Sequence, residues 1–466
     1  MTKLLTVPAN DAAWLRAALA DVLGEVDPAE AAGAEAAGAE ALAAEALAAE
    51  ALAARAGDAG GSAVLPLPAG DHQQLPPAEL AAALAPDTAL VIHTSGSTGV
   101  PKYVELSRLA LLASAHATHS RLGGPGQWLI TLPLHLVSGA QQLVRGIVAG
   151  TDPVCYFGSP FDPAELLDRA ESMTHDRRYV SLVPSQFVQL LELCQKDADA
   201  LQRAREFAAI LVGGGGLSVA QRQLAHELNL PLVRSYGASE TAGGCVYDGV
   251  EIGDTGVRIR DGEVQLAGSC LATGYPLDAE LTAARFITET GADGSTRRWY
   301  RTGDSGKLLG GMLTVTGRLD RVLISGGVNV SLDRVEKLAA GVPGVGAVLA
   351  VAIPSERWGQ SVALLAVAGA DPQTTVAREE PEVETQQAGQ QTDQQAEQQA
   401  DQQAAQQADQ QATQRAELEQ RLIEELTGEI GKAAKPARIR WVTELPQLPG
   451  GKPDYLTALN TLQRLS

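Results

Sequence analysis

The sequence is poor in cysteine, in basic residues and in long apolar runs, and each shortage excludes a class of protein. Four cysteines occur in 466 residues. None belongs to a CxxC pair, so neither a zinc site nor a disulfide framework is expected. No apolar stretch reaches the roughly 18 residues needed to span a bilayer, and none resembles a secretory leader. We therefore expect a cytoplasmic protein without a membrane partner.

The chain is strongly acidic, with 36 Lys and Arg residues against 56 Asp and Glu residues and a net charge of −20. Much of the excess lies in two segments. Residues 25–54 hold seven acids and no base, and residues 376–415 hold eight acids and two bases. The rest of the chain has 41 acids against 34 bases. Because no basic stripe remains, a nucleic acid is not expected as a partner.

Both acidic segments are repetitive. Residues 25–56 contain a five-residue Ala/Glu repeat, which in a helix would rotate by about 140° per repeat and leave no apolar face. Residues 376–415 contain a four-residue Gln/Ala repeat. Its Ala row would drift by about 40° per repeat, which favours at most a weak coiled-coil contact. We interpret both segments as insertions without chemistry of their own.

A loop of small and hydroxylated residues follows an apolar run at residues 89–92. Its sequence is Thr94-Ser95-Gly96-Ser97-Thr98-Gly99-Val100-Pro101-Lys102. Glycines let backbone N–H groups turn toward one point, hydroxyls add donors and the lysine adds positive charge, so the loop can hold a polyphosphate. It is not a Walker loop, because no Gly-Lys-Ser/Thr follows a four-residue gap.

Strand patterns alternate with helix patterns along the first half of the chain. Strands are predicted at residues 89–92, 128–132, 179–183, 210–212 and 232–234, and helices at residues 107–120, 140–148, 163–172 and 218–227. This alternation predicts an α/β fold with an open, mostly parallel sheet. Residues 253–313 have short strand patterns and frequent turns, which predict a small β-rich subdomain. A second α/β pattern follows, with a helix at 416–430 and a strand at 439–442.

Six stretches, taken in order, resemble the adenylate-forming superfamily of acyl-CoA synthetases, peptide-synthetase adenylation domains and luciferases. They are residues 94–102, 133–139, 235–241, 300–304, 317–320 and 449–452. The resemblance covers nearly the whole chain outside the two insertions. It implies an N-terminal AMP-binding domain over residues 1–317, a hinge over 318–320 with Asp320 as pivot, and a small, mobile α+β lid over 321–466.

The implied reaction has two steps. A carboxylate attacks the α-phosphate of Mg-ATP to give an acyl-adenylate and pyrophosphate, and the thiol of coenzyme A then displaces AMP. The partners are therefore a small carboxylic acid, ATP, Mg²⁺ and coenzyme A. Because like-charged reactants must be aligned while charge moves to pyrophosphate, catalysis is expected to depend on positioning and electrostatics. The sequence leaves open whether the chain is a monomer or a homo-oligomer.

The resemblance also assigns roles to individual residues. The ATP phosphates are held by Thr94, Ser95, Gly96, Ser97, Thr98, Gly99 and Lys102. Ser239 stands where the family more often has Thr and keeps a hydroxyl donor for the α-phosphate. Glu240 holds Mg²⁺, which takes one or two carboxylates.

The remaining assigned roles concern the nucleoside, the lid and coenzyme A. Adenine is enclosed by Tyr236, Gly237 and the turn Gly214, Gly215 and Gly216. Asp304 accepts both ribose hydroxyls, with help from Arg318. Lys452 reaches the α-phosphate and the carboxylate in the first step and then moves away, and Gly326 and Gly327 contact coenzyme A.

The acid is indicated by residues 133–150 and by the Leu-Pro-Gly-Gly-Lys-Pro-Asp ending, which resemble o-succinylbenzoate–CoA ligases of menaquinone biosynthesis. That diacid is activated at its succinyl carboxylate, so its aryl carboxylate needs a partner. Arg145 lies in an otherwise apolar helix pattern, and a guanidinium suits a planar carboxylate; the alternative is an ion pair with a structural carboxylate. Ser138 can add a hydrogen bond, and His135 is either a gating residue or an ordinary, partly buried histidine.

Other functions stay open at this point. The chain could ligate another aryl or short aliphatic acid to coenzyme A, or it could load a separate carrier protein. A non-catalytic scaffold is disfavoured, because Lys102, Glu240, Asp304 and Lys452 are all present.

Overall fold

The computed structural model describes residues 3–8, 11–24, 62–68, 78–95, 101–291, 294–369, 413–448 and 453–463. Several sequence predictions lie outside these ranges: the tip of the phosphate loop (96–100), the acidic segments apart from residues 413–415, and Lys452. In the described ranges, no helix is long and apolar enough to cross a membrane. The described residues form two compact units that divide between Val315 and Thr316.

The first sheet of the first unit has four strands in the order β1-β2-β3-β4. They are β1 (Lys3–Pro8), β2 (Ser62–Leu67), β3 (Thr88–Ser95) and β4 (Pro101–Ser107). The first three are parallel, whereas β4 pairs antiparallel with β3. This hairpin sets Thr94 opposite Lys102, so a sheet fixes both ends of the phosphate loop. Helices α1 (Ala12–Leu23) and α2 (Leu80–Ala83) accompany this sheet.

The second sheet has seven strands in the order β11-β10-β9-β8-β7-β5-β6. They are β5 (Gln127–Ile130), β6 (Val154–Cys155), β7 (Arg178–Leu182), β8 (Ala209–Val212), β9 (Leu232–Ala238), β10 (Gly243–Tyr247) and β11 (Val250–Glu251). The run from β9 to β6 is parallel, and β10 and β11 are antiparallel. The mostly parallel sheet predicted from the sequence is confirmed.

Helix α3 (Arg108–Arg121) leads from the first sheet into the second, and five further helices connect the parallel strands of the second sheet. The five are α4 (Val137–Val148), α5 (Pro163–Ala170), α6 (Pro184–Lys196), α7 (Ala198–Ala204) and α8 (Val219–Glu227). Ser218 caps α8, because its side chain accepts a hydrogen bond from the Gln221 N–H group while Gln221 bonds back to the Ser218 N–H. Such a reciprocal pair satisfies two backbone donors that a helix start leaves without a partner.

The predicted β-rich subdomain is an antiparallel sheet in the order β12-β13-β15-β14, with β16 paired to β15. Its elements are β12 (Gly256–Arg260), β13 (Glu263–Ala267), α9 (Ala279–Arg285), β14 (Phe286–Thr290), β15 (Thr296–Leu309) and β16 (Met312–Arg318). Strand β16 runs across the division between the two units.

The second unit is a small α+β structure. Its elements are β17 (Val322–Ser325), β18 (Val328–Ser331), α10 (Leu332–Ala339), β19 (Val345–Ser355), β20 (Gly359–Ala368), helical residues 413–429, β21 (Arg438–Val442) and α11 (Tyr455–Gln463). The strand order is β18-β17-β20-β19, and β21 pairs parallel with β20. Val335, Leu364 and Leu426 are completely buried in its core.

The main core of the first unit packs α1, α3 and α4 against the first sheet. Fully buried residues such as Leu19, Ile92 and Leu143 each contribute about 1.5–3 kcal/mol. Helix α4 is buried around most of its circumference and yet contains Gln141, Gln142 and Arg145. Polar groups in such a position must be hydrogen-bonded or serve a ligand.

Candidate active site

Lys102 and Glu240 both lie beside Tyr275. The Lys102 ammonium lies 5.8 Å from the centroid of the Tyr275 ring. The Tyr275 hydroxyl donates a hydrogen bond of 2.7 Å to Glu240 Oε1. Burial and the Glu240 charge raise the Tyr275 pKa above its ordinary value, so the phenol stays protonated and remains a donor. Two residues that the sequence assigned to the phosphates and the metal are therefore brought together.

Glu240 is positioned by a short 3₁₀ turn, Ser239–Thr241, that follows β9. The Glu240 carbonyl oxygen accepts a hydrogen bond of 2.8 Å from the Ala272 N–H group. Thr241 Oγ1 is fully buried, accepts from the Ala238 N–H and donates to the Gly243 carbonyl. These bonds hold Ser239 and Glu240 at the end of β9, which is where an open α/β sheet binds its ligands.

The Glu240 carboxylate fits the demands of Mg²⁺. It is half-buried, and no described residues form a group of three or more metal-binding side chains. Mg²⁺ does not need such a cage, because it keeps several waters and is bound through one or two carboxylates and the substrate phosphates. The donor set around Glu240 therefore suits a magnesium ion that arrives with ATP.

Tyr236 and Asp304, assigned to adenine and ribose, contact each other directly. The Tyr236 hydroxyl donates a hydrogen bond of 2.7 Å to Asp304 Oδ2. Burial and the Asp304 charge raise the Tyr236 pKa, so this phenol also stays protonated. Gly237 follows, and a Cβ atom there would overlap the Gly243 carbonyl oxygen on β10. Only glycine permits this close approach of the strands.

The glycine turn after β8 adjoins the same strand. A Cβ atom on Gly213 would lie 3.3 Å from the Ser235 carbonyl oxygen, so the start of the turn touches β9. Gly214 has φ of +78°, and space around its Cβ position is open. Gly215 faces Pro184 at the start of α6. The turn Gly214–Gly216 is therefore placed at the end of β8, next to the strand that carries Tyr236.

His135 lies near the base of the phosphate hairpin. Burial and the neighbouring charge of His93 lower its pKa, so it is neutral near pH 7. His93 on β3 stacks on Tyr103 of β4 with 4.9 Å between ring centroids. The loop before α4 turns tightly at this point, because a Cβ atom on Gly139 would overlap the Pro133 carbonyl oxygen.

Arg145 is a core cation without a carboxylate partner among the described residues. Its side chain donates from Nη2 to the Tyr247 hydroxyl at 3.4 Å, and its guanidinium lies 4.8 Å from the centroid of the Trp128 ring. Arg145 is only 4% exposed, and its Nε atom is buried without a hydrogen bond. Burial lowers its pKa, and the Tyr247 hydroxyl opposes that shift.

Arg145 forms the inner end of a polar stripe on α4. Ser138, Gln141, Gln142 and Arg145 follow at spacings of three and four residues, which places them on one face of a helix. Ser138 is exposed, whereas the other three are buried. Seven residues of helix span about 10 Å. Gln141 Nε2 donates to the Leu111 carbonyl and Gln142 Nε2 to the Ser138 carbonyl, but both Oε1 atoms are buried without a described partner.

Three residues of this region were not predicted from the sequence. Tyr275 joins Lys102 to Glu240, and Trp128 lies under Arg145. His119 on α3 is buried, and both of its ring nitrogens are without a hydrogen-bond partner in the described residues. Burial and then the Arg145 charge lower its pKa to about 3. The sequence signal for His119 and Trp128 was weak: each lies within an otherwise apolar pattern.

The second unit holds the residues assigned to the hinge and to coenzyme A. Arg318 forms two hydrogen bonds of 2.9 Å with the Asp320 carboxylate. Gly326 and Gly327 form the turn between β17 and β18 with φ of +56° and +84°. Around the position of Lys452, Gln447 bridges to Pro453, and the Asp454 N–H donates to the Pro446 carbonyl at 2.9 Å.

Comparison with known proteins shows which family this chain resembles. Residues 9–275 match the family model described as AMP-binding enzyme. The "Probable 2-succinylbenzoate--CoA ligase" of Mycobacterium tuberculosis (strain ATCC 25618 / H37Rv) is 38% identical over 292 residues, 61% of this chain and 72% of that protein. The "2-succinylbenzoate--CoA ligase" of Escherichia coli (strain K12) is 30% identical over 276 residues, 57% of this chain and 55% of that protein.

A solved structure shares the fold. It is the o-succinylbenzoate CoA synthetase (MenE) from Bacillus subtilis in complex with the acyl-adenylate intermediate OSB-AMP, with a TM-score of 0.57 and 22% identity. The match covers 79% of this chain and 69% of that one. The family match extends over more than half of the sequence, and the resemblance to adenylate-forming enzymes is confirmed: the chain belongs to the AMP-binding enzyme family.

Proposed function

We propose that this protein is an AMP-forming acid–CoA ligase that converts o-succinylbenzoate to o-succinylbenzoyl-CoA for menaquinone biosynthesis. Family membership and the 38% identity to a protein named as such a ligase support the reaction class. The observation that carries the choice of acid is the buried guanidinium of Arg145, which has aromatic neighbours and no described carboxylate. The substrates are taken from the cytoplasm, and no nucleic acid or membrane takes part.

The aryl carboxylate supplies the charge that Arg145 lacks. An isolated buried cation is costly, and a planar carboxylate that accepts two parallel hydrogen bonds compensates it well. The stripe on α4 is about 10 Å long, enough to hold a benzoyl group with a short chain. Gln141 and Gln142 add neutral hydrogen bonds to the substrate between Arg145 and Ser138. The succinyl carboxylate then lies toward Ser138 and His135, on the side of the phosphate hairpin.

Adenylation needs the attacking carboxylate and the α-phosphate held in line. Thr94, Lys102 and Ser239 bind phosphate oxygens, and the neutral His135 adds no charge beside the incoming carboxylate. Tyr275 orients Glu240 through its hydrogen bond to Oε1, and the other carboxylate oxygen would hold the ion. Magnesium, when bound, neutralises charge on the phosphates and on the leaving pyrophosphate. Fixed donors of this kind are worth most where charge develops in the transition state.

The nucleoside is bound by the other half of the site. Asp304 accepts the ribose hydroxyls, and Tyr236 lies against adenine opposite the Gly214–Gly216 turn. The hydrogen bond from Tyr236 fixes the orientation of Asp304 before ATP arrives. Arg318 assists at the ribose, and in this structure it is paired with Asp320. Lys452 is the lid residue of the first step, and Gly326 and Gly327 accommodate coenzyme A in the second.

The test is a coupled assay with o-succinylbenzoate, ATP and coenzyme A that resolves the thioester from free AMP. The matched comparison acid is 4-oxo-4-phenylbutanoate, which has the same chain but no aryl carboxylate. We expect thioester from the diacid and a kcat/KM at least about tenfold lower for the comparison acid. AMP release without thioester, or equal use of both acids, would contradict this assignment; transfer only to a carrier protein would identify an adenylation domain.

A further inference from the structure

Strand β15 leaves its regular pairing with β13 at the residues that lead to Asp304. Ser305 lies opposite Glu263, whereas Arg301 lies opposite Gln265, so the register shifts between these two pairs. Three residues of β15, 302–304, therefore stand opposite one residue of β13. Extra residues in one strand form a bulge, which bends the strand and redirects its side chains. Asp304 is the last residue of this bulge.

The bulge turns two backbone N–H groups away from the strand pairing, and two side chains accept hydrogen bonds from them instead. The Gly303 N–H group, at a buried residue with φ of +75°, donates to Glu263 Oε1 at 3.0 Å. The Asp304 N–H donates at 2.9 Å to Thr302 Oγ1, which itself donates to the Val264 carbonyl at 2.8 Å. Because a buried N–H group without an acceptor is costly, these two side chains stabilise the bulge.

Glu263 is a buried carboxylate whose two oxygens both accept hydrogen bonds. The residue is 4% exposed. Its Oε2 atom accepts from Arg301 Nε at 2.9 Å and from Gln265 Nε2 at 3.3 Å. Burial alone would raise the pKa of Glu263, but the hydrogen bonds from Arg301, Gln265 and Gly303 hold that pKa below its ordinary value. The side chain is therefore ionised near pH 7 and acts as an acceptor on both sides.

We propose that Glu263 is a positioning residue for the nucleotide, because its carboxylate holds the β15 bulge in the conformation that presents Asp304 to the ribose hydroxyls. The proposal rests on the proposed function, which takes Asp304 as the ribose acceptor. The Tyr236 hydroxyl fixes the Asp304 side chain at Oδ2, and Glu263 fixes the backbone one residue earlier. Glu263 thus determines the preference for a hydroxylated ribose through Asp304 rather than through a contact of its own.

The experiment measures the binding of ATP and of 2′,3′-dideoxy-ATP to the full chain by calorimetry, with magnesium present and no acid. The ratio of the two affinities reports the contribution of the ribose hydroxyls. In Glu263→Gln, an amide with one acceptor oxygen replaces a group that accepts on two sides, so Arg301 or Gly303 loses its acceptor. Glu263→Gln should weaken ATP binding by at least about fivefold and dideoxy-ATP binding by less than about twofold.

Glu105→Gln is the matched control for the loss of a buried carboxylate in the same unit. Glu105 is 3% exposed, and it accepts from the Ala85 N–H at 2.6 Å and from the Thr88 hydroxyl. Glu105→Gln should lower the melting temperature and leave the affinity ratio at the wild-type value. Should Glu263→Gln not fold, Glu263→Asp decides by the same ratio, since it keeps the charge but shortens the reach to Gly303.

A double-variant cycle separates positioning from general stability. Asp304→Ala alone should bring the affinity ratio close to one, because the acceptor of the ribose hydroxyls is gone. Adding Glu263→Gln to Asp304→Ala should then leave the ratio unchanged, since Glu263 acts only through Asp304. A wild-type ratio in the folded Glu263 variants, or equal weakening of both nucleotides, would overturn the proposal. So would a further loss of the ratio in the double variant.

The same measurements distinguish failure of this proposal from failure of the proposed function. Nucleotide binding is measured without an acid, so a protein that does not adenylate o-succinylbenzoate overturns the proposed substrate and leaves the role of Glu263 to the affinity ratio. An Asp304→Ala variant with the wild-type ratio would overturn the ribose role of Asp304 and the role of Glu263 with it. A selective loss of ATP affinity in both Asp304→Ala and Glu263→Gln supports the positioning role.

Discussion

At the scale of single residues, Arg145 is expected to affect both the stability of the ligand-free protein and the choice of the acid substrate. Its guanidinium lies between the Trp128 ring and the Tyr247 hydroxyl, and no described carboxylate compensates its charge. A structural arginine in the core would be expected to have such a partner, because breaking a buried pair is strongly destabilising. An arginine that binds a ligand has the opposite property. Removing it stabilises the ligand-free protein and weakens the binding of the ligand.

This contrast gives the first prediction, for Arg145→Met. The variant should unfold at the same or a higher temperature than wild type without ligand, because a buried charge is replaced by an apolar side chain of similar length. Its kcat/KM for o-succinylbenzoate should fall by an amount equivalent to about 2–4 kcal/mol. Activity on 4-oxo-4-phenylbutanoate should change little.

Thermal unfolding by circular dichroism and steady-state kinetics on both acids measure these effects. Arg145→Lys is the matched control for charge: it keeps the positive charge but not the bidentate geometry, and should recover only part of the lost activity. A lower melting temperature together with equal losses on the two acids would return Arg145 to a structural role.

At the scale of elements, the chain passes from the first unit to the second within β16, and a tight turn follows in the second unit. Strand β16 ends at Arg318, and the 3₁₀ turn Leu319–Arg321 follows at once. Asp320 contributes a side chain that pairs with Arg318 and a backbone that the proposed hinge must rotate. These two contributions can be separated by substitution.

The second prediction concerns Asp320→Pro and its control Asp320→Ala. Proline fixes φ at position 320 and restricts residue 319, so the turn loses the freedom to change conformation. We expect Asp320→Pro to retain one half-reaction and lose the other by about tenfold or more. Asp320→Ala removes the same carboxylate but leaves the backbone free, and should keep the ratio of the two half-reactions near that of wild type.

Pyrophosphate exchange and conversion of supplied acyl-adenylate measure the two half-reactions of these variants. Full overall turnover in Asp320→Pro would show that the protein works without a rotation at this residue. A change of ratio in Asp320→Ala equal to that in Asp320→Pro would assign the effect to the Arg318–Asp320 pair.

Helices could be predicted from the sequence where a capping residue and the period of the apolar residues determine them. Helices α3 and α8 begin within one residue of their predicted starts, since a serine caps each and an apolar period follows. Helix α4 begins three residues before its prediction, at Val137. Its first turn packs closely against the preceding loop, where Gly139 contacts Pro133. The periodicity of apolar residues does not predict such a contact.

The sequence motifs named side chains that the structure brings together, because Tyr236 contacts Asp304 and both Lys102 and Glu240 lie beside Tyr275, while their roles stay predictions. Tyr275 was not predicted, because its contact with Glu240 joins residues that are distant in sequence. Tyr275 meets Glu240 across 35 residues, and Tyr455 meets Glu336 across 119. No local pattern specifies those neighbours. The resemblance to a family predicts roles for motif residues, but it does not predict side chains such as Tyr275 that contact them.

At the scale of the whole molecule, the two units respond to pH with opposite sign. His119 in the first unit has a pKa lowered to about 3 by burial, then by the Arg145 charge and by His116. Glu336 in the second unit has a pKa raised to about 7 by burial, against the opposing charge of Arg321. Protonation in this range is therefore favoured in the unfolded chain for the histidine and in the folded chain for the glutamate.

The third prediction follows from linkage. Below pH 6.5 the unfolded chain protonates His119 and the folded chain does not, so the first unit loses roughly 2 kcal/mol between pH 7 and 5. Folded Glu336 takes up its proton near pH 7, above the ordinary range of a carboxyl, so the second unit gains a similar amount over the same interval. The calorimetric transitions of the two units should move in opposite directions as pH falls.

The variants His119→Leu and Glu336→Gln identify the source of each shift. Each should flatten the pH dependence of one transition between pH 7 and 5 and leave the other unchanged. Other carboxyls titrate in the same range, so the quantity to compare is the difference between wild type and variant at each pH. If the unfolding temperatures of wild type and a variant change in parallel with pH, the substituted group, His119 or Glu336, is not the source of the shift.

The pairing of β21 with β20 bears on how fast the chain folds. Ala363 pairs with Arg438, and in the first sheet Lys3 pairs with Ser62, so each of the two acidic segments separates strands that must meet. Parallel pairing at such a distance is slow, because closing the intervening chain precedes any gain from the contact. The second unit cannot complete its sheet during synthesis until residue 442 has left the ribosome. Since each doubling of the intervening length adds only about 0.6 kcal/mol to closure, the segments delay folding far more than they weaken the folded state.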